Sequence, residues 1–123
     1  MRHVTHVILA VGLLVGSTAI LVGQDSDEPN AKYTVKEVMK KAHGEKLLNK
    51  VVDGNASKEE KDKLLDLYLS MLENKPKKGE PQSWILKSGR LMWAAAAVAV
   101  GREGAEARLK EASNCKACHS VHK

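Results

Sequence analysis

Apolar residues recur along most of the chain at the three- and four-residue spacing of amphipathic helices. The capping box Thr34–Glu37 opens an apolar stripe that stops at the turn signal Asp53–Asn55, which predicts helix A over 34–53. A second capping box, Ser57–Glu60, precedes another such stripe and predicts helix B over about 58–74.

Two further helices complete the predicted fold. Pro81 suits the first turn of helix C, which ends near Gly101, and helix D follows over 104–119. No segment shows the alternation of a strand, and no repeat is present. Four helices joined by short connections predict an all-α, four-helix up-and-down bundle, with 34–123 as a single domain.

The N-terminus has the layout of a secretory signal. A short basic head with Arg2 precedes the apolar stretch Val7–Val22, and an abrupt polar run starts at Gln24. A transmembrane anchor is the alternative, but the stretch falls short of the about 20 apolar residues that a spanning helix needs. We therefore predict a signal peptide over 1–23, a polar lead-in over 24–33, and a periplasmic or otherwise extracytoplasmic protein with no membrane span after processing.

The chemistry is concentrated at the C-terminus. The pentad Cys115–His119 reads Cys-Lys-Ala-Cys-His, contains both cysteines of the chain, and is the pattern that attaches a c-type haem. Two thiols three positions apart can bond to the two vinyl groups of one porphyrin, and the adjacent imidazole of His119 can bind its iron. On a helix Cys115, Cys118 and His119 share one stripe, so the pattern predicts one covalently bound haem c.

The same cysteines also allow other interpretations. A redox dithiol would be expected in a βαβ context, which this chain lacks, and a structural disulfide across Cys-x-x-Cys would close almost no loop. Zinc could be held by Cys115, Cys118, His119 and His122, although zinc ligands usually come as two pairs separated by a folded loop. The pentad could also be a chance match with no cofactor.

This helical body, with its pentad near the C-terminus and Met39 on the first helix, resembles the class II c-type cytochromes, which include cytochrome c′ and its low-spin relatives. The resemblance implies His119 as the proximal ligand of the haem iron and Met39 as the distal ligand. Low-spin relatives often carry an arginine just before that methionine, close to the haem propionates. Here the chain has Val35 and Lys36 instead, so Lys36 is the candidate propionate contact.

The distal ligand decides the predicted function. A thioether opposite an imidazole closes the iron's coordination and raises its reduction potential, which suits one-electron transfer. If Met39 only packs in the core, the iron stays open and the alternative is a five-coordinate protein that binds NO or CO. His43, four residues after Met39 on the same face, is a second candidate ligand. Because no acid or base beyond His43 is placed near the site, we do not expect an enzyme.

The charge pattern and the tryptophans indicate which kinds of partner the protein can bind. The net charge is +5, but basic residues alternate with acidic ones, so no nucleic-acid surface is predicted. The lysines of helix A (Lys36, Lys40, Lys41, Lys46 and Lys50) form either a solvated face or a docking patch for an acidic redox partner protein. Trp84 and Trp93 are about 180° apart around helix C, so one is expected in the core and the other at an interface. Cytochromes of the class that the chain resembles are often homodimers, so the resemblance implies a second copy of the chain as a partner. His122 is expected to be exposed in a frayed tail.

Overall fold

The computed structural model of the protein describes residues 30–123, and every regular element within that range is a helix. None of the helices in this part of the chain is long and apolar enough to cross a bilayer. The predicted signal peptide and residues 24–29 of the lead-in lie outside the described residues. The elements are α1 (Val35–Val38), a π-helical segment (Met39–Gly44), α2 (Leu47–Val52), α3 (Lys58–Glu73), α4 (Pro81–Ala99), α5 (Ala105–Ala112) and α6 (Cys115–His122).

The predictions of helices B and C are confirmed by α3 and α4. Helix α3 begins at the expected capping box, in which the Ser57 hydroxyl accepts from the Glu60 amide at 3.2 Å and the Glu60 carboxylate accepts from the Ser57 amide at 2.9 Å. Helix α4 begins with Pro81, whose missing N–H costs nothing in the first turn. The two tryptophans of α4 lie on opposite faces as predicted: Trp84 is buried, and Trp93 is 61% exposed.

The core lies between α3 and α4, with α5 and α2 packed against them. Its largest fully buried side chains include Tyr68, Leu64 and Leu67 on α3 and Leu109 on α5. The small residues Ala94, Ala95 and Ala97 are buried on α4, where they let neighbouring helices approach closely. Removal of this apolar surface from water is the main stabilising contribution.

The prediction of one continuous helix A is wrong. The helix widens into the π-helical segment and then breaks at Lys46, which adopts a left-handed backbone with φ of 60° before α2 begins. Both Val38 and Leu47 are buried, yet nine helical positions would place them about 180° apart. The break therefore lets both ends of the segment face the same core.

Helix D is also divided, so the predicted set of four continuous helices is not observed. Helix α5 ends at Ala112, and Asn114 starts α6 by accepting a hydrogen bond from the Ala117 amide at 3.1 Å. Leu109 is fully buried, and on an unbroken helix Cys118, nine positions later, would point the opposite way. Because α6 begins as a separate helix, the direction of the Cys115–His119 pentad does not depend on which face of α5 is buried in the core.

Candidate functional site

A cleft of about 280 Å³ lies between part of α6 and the other helices, and most of the predicted site residues line it. Cys115, Cys118 and His119 line it from α6, while Met39 and His43 line it from the π-helical segment. The remaining wall is largely apolar and comes from α3, α4 and the end of α5, with Met71, Trp84, Leu91 and Ala112 among its residues. Side chains 72 or more residues apart along the chain thus meet in one place.

The pentad lies on the accessible side of this cleft. Both thiols are free; Cys115 is exposed and its thiol donates to the Ser113 carbonyl at 3.3 Å, whereas Cys118 is half-buried. Burial raises the pKa of the Cys118 thiol, and the positive charge of Lys87 opposes that rise. No residue of α6 is buried, so this helix presents its thiols and the His119 imidazole without contributing to the core.

The opposite wall carries the two candidate distal ligands one helical turn apart. Met39 is half-buried at the first position of the π-helical segment, a geometry frequent at functional sites. His43 is also half-buried, and its pKa is lowered by burial and by the nearby charge of His119. Its Nε2 lies 3.5 Å from the phenol oxygen of Tyr68, and their ring centroids are 6.0 Å apart.

The protonation of the Tyr68 phenol determines which of the two side chains can donate the hydrogen bond. The residue is fully buried, and burial raises the pKa of its phenol. The phenol therefore keeps its proton and is available to donate it to Nε2 of His43, although 3.5 Å makes a weak hydrogen bond. The Met39 sulfur makes no hydrogen bond with any of the described residues.

The predicted propionate contact, Lys36, is exposed on α1 and does not line the cleft. The cations that do line it are Lys87 and Arg90 of α4, neither of which was predicted as a site residue. A signal was available: Lys87 follows Trp84 by three positions and precedes Leu91 by four, which places it on the core-facing side of a helix. The acidic residue of the cleft is Glu111.

The C-terminal end of α6 is fastened to the loop between α3 and α4, so the expectation that His122 lies exposed in a frayed tail is wrong. Its Nδ1 donates to the Lys78 carbonyl at 2.9 Å, and its Nε2 lies 3.1 Å from the Ser83 hydroxyl. The ring meets Trp84 edge-on, with centroids 5.4 Å apart. We refer to these contacts of His122 with Lys78, Ser83 and Trp84 as the C-terminal clamp.

The clamp leaves no room beside Gly79. This glycine has φ of +85°, and a Cβ built on it would lie 2.6 Å from Nδ1 of His122 and 2.8 Å from the Val121 carbonyl oxygen. A glycine is thus required at this position both by backbone conformation and by the approach of α6.

The zinc tetrad considered from the sequence is not assembled. Within residues 30–123, no three His, Cys, Asp or Glu side chains are grouped as a metal ion would require. Both ring nitrogens of His122 are engaged in the C-terminal clamp, away from the thiols. What the cleft does offer is two thiols and an imidazole on one side, and a thioether and a second imidazole on another.

Comparisons with known proteins identify no relative: no family model matches this chain, and no curated protein or solved structure matches it. The side chains that line the cleft are therefore the basis for assigning a function.

Proposed function

We propose that this protein is an exported monohaem c-type cytochrome that transfers single electrons to and from redox partner proteins. Cys115 and Cys118 would hold the haem c through thioether bonds, with His119 as proximal and Met39 as distal ligand. The observation that carries the proposal is that these four side chains, drawn from opposite ends of the described chain, line one cleft.

The largely apolar lining of the cleft supports an apolar cofactor. Met71, Trp84 and Leu91 supply an apolar wall, and α6 is attached through the C-terminal clamp instead of through core side chains. Burial of about 300 Å² of porphyrin surface against such a wall would contribute about 8 kcal/mol. In this proposal the cofactor completes a bundle in which α6 packs through the haem.

The residues of the chain would set the reactivity of the site. When bound, haem c supplies a one-electron iron couple. Met39 would close the distal position with a sulfur ligand, which raises the reduction potential and excludes small gases. We favour Met39 over His43 because Nε2 of His43 already faces the Tyr68 hydroxyl. The exposed Cys115 and His119 keep this edge of the site near the surface, where a partner protein can dock.

The first experiment is mass spectrometry of protein exported by a bacterial host that attaches c-type haem. We expect a mature polypeptide that has lost about its first 23 residues and carries one haem that survives denaturation. The matched control is the double variant Cys115→Ala and Cys118→Ala, which should be exported without haem. A wild-type protein with only the bare polypeptide mass would contradict the proposal.

The second experiment identifies the distal ligand from absorption spectra recorded with and without carbon monoxide. We expect a low-spin, six-coordinate spectrum that carbon monoxide does not change, and Met39→Ala should open the iron to the gas and lower its potential. His43→Ala is the matched control and should leave the spectrum unchanged. A wild-type spectrum that is high-spin and shifts with carbon monoxide would instead support the gas-binding alternative.

A further inference from the structure

Three charged side chains other than histidine line the cleft: Lys87 and Arg90 from α4 and Glu111 from α5. Within residues 30–123 the ion pairs are Lys32–Asp66, Lys50–Glu60 and Lys58–Asp62, none of which includes a residue of the cleft. The cleft therefore holds two cations and one anion that are not neutralised by ion pairs among the described residues. An excess of positive charge beside an apolar wall favours a ligand with an apolar body and anionic groups.

The two cations occupy different depths. Lys87 is half-buried between the buried positions Trp84 and Leu91, and Arg90 is exposed three residues further along α4. Lys87 thus lies deeper in the cleft, and Arg90 lies nearer to solvent.

We propose that Lys87 and Arg90 form the binding site for the two propionate carboxylates of the haem, an inference that rests on the proposed function. A haem carries both carboxylates on one edge of its apolar ring. An ammonium and a guanidinium on one helix match that edge, and the guanidinium can bind a carboxylate through two parallel hydrogen bonds. Glu111 on α5 repels the same groups and so favours an orientation with the propionates toward α4.

This assignment replaces the contact expected from Lys36. The ammonium of Lys36 is on the exposed surface of α1 and does not line the cleft. Its attraction to a carboxylate in the cleft would be weakened by water and salt, whereas Lys87 acts from a half-buried position.

The test measures the reduction potential of haem-loaded variants across pH. Lys87→Gln and Arg90→Gln leave the propionates less neutralised, which stabilises the ferric state. We expect the double variant to raise the ferric-to-ferrous ratio at a fixed potential about threefold to tenfold, a tenfold change being 59 mV. We also expect the step in potential that follows propionate protonation to move to higher pH, because a carboxyl that loses its cationic partner has a higher pKa.

Matched variants separate a direct contact from a general effect of charge. Lys36→Gln removes the same charge outside the cleft and should change the ratio less than twofold. Lys87→Arg and Arg90→Lys should restore the wild-type pH profile, and Glu111→Gln should shift the potential in the opposite direction. All these positions are exposed or half-buried, so no core side chain is removed.

The outcomes distinguish this inference from the function on which it rests. A wild-type protein without a covalent haem would overturn both. A haem-loaded protein in which the double variant follows Lys36→Gln, in potential and in pH profile, would overturn the propionate assignment and leave the cytochrome proposal standing.

Discussion

Replacement of Gly79 by alanine should release the C-terminal clamp. The new methyl group would lie 2.6 Å from Nδ1 of His122 and 2.8 Å from the Val121 carbonyl oxygen. The imidazole could rotate away, but the carbonyl belongs to the backbone of α6, so the helix end itself must move. Because no residue of α6 is buried, its own side chains offer little resistance to that movement.

Two contributions determine the expected loss of stability. Alanine at φ of +85° is strained by about 1 kcal/mol after allowance for the stiffer unfolded chain. Displacement of His122 would remove its hydrogen bonds with Lys78 and Ser83 and its edge contact with Trp84, together worth about 2 kcal/mol at a partly exposed site. The free energy of unfolding should therefore fall by about 3 kcal/mol.

Urea unfolding followed by circular dichroism measures this change, and two other glycines provide controls. Gly54 and Gly101 have φ of +76° and +71°, and a Cβ on either would meet no heavy atom within 4 Å. Gly54→Ala and Gly101→Ala should therefore lose only the conformational contribution of about 1 kcal/mol. Amide hydrogen exchange should show faster opening of α6 in Gly79→Ala alone.

Equal losses for Gly79→Ala and the two control variants, within about 0.5 kcal/mol, would contradict this prediction. Such a result would mean that α6 is not held against Gly79 in solution, and that His122 does not position the pentad.

Three further predictions concern the core, a helix cap and pH. Leu109→Ala should cost about 2 to 5 kcal/mol in urea unfolding because the side chain is fully buried, whereas Leu86→Ala, at 61% exposed, should cost less than about 1 kcal/mol. Ser57→Ala should lower the melting temperature through a loss of about 1 kcal/mol, because the Glu60 amide loses its acceptor; an unchanged melt would contradict the capping role. Burial lowers the pKa of His43 below its ordinary value of 6.5, so the unfolded chain binds more protons. The contribution of neutral His43 to the free energy of unfolding is fully present above about pH 6.5 and is lost as the pH falls through its lower pKa in the folded protein. His43→Gln should reduce this pH dependence of the free energy of unfolding.

The parts of the fold that were predicted correctly depend on residues close together in the chain. The capping box at Ser57, the proline at the start of α4 and the opposite faces of Trp84 and Trp93 all follow from spacings within one helix. The pentad is of the same kind, since its chemistry depends on three side chains within five residues. The class of fold, all helical in the described residues, follows from such spacings as well.

The features that were missed depend on residues far apart in the chain. Helix A breaks because Val38 and Leu47 cannot both face the core from one regular helix, and helix D breaks because Leu109 and the pentad cannot both take their observed directions from one. The direction in which each side chain must point is determined by the positions of the other helices.

Contacts across the chain explain the remaining differences. His122 is hydrogen-bonded to Lys78, which lies 44 residues earlier in the chain, and Lys87 shares a cleft with the pentad only because α4 and α6 both border it. Hydrogen bonds within a helix span four positions, so local sequence is sufficient to specify them. The meeting of side chains across a cleft depends on how whole helices pack, and that arrangement is determined by the buried core.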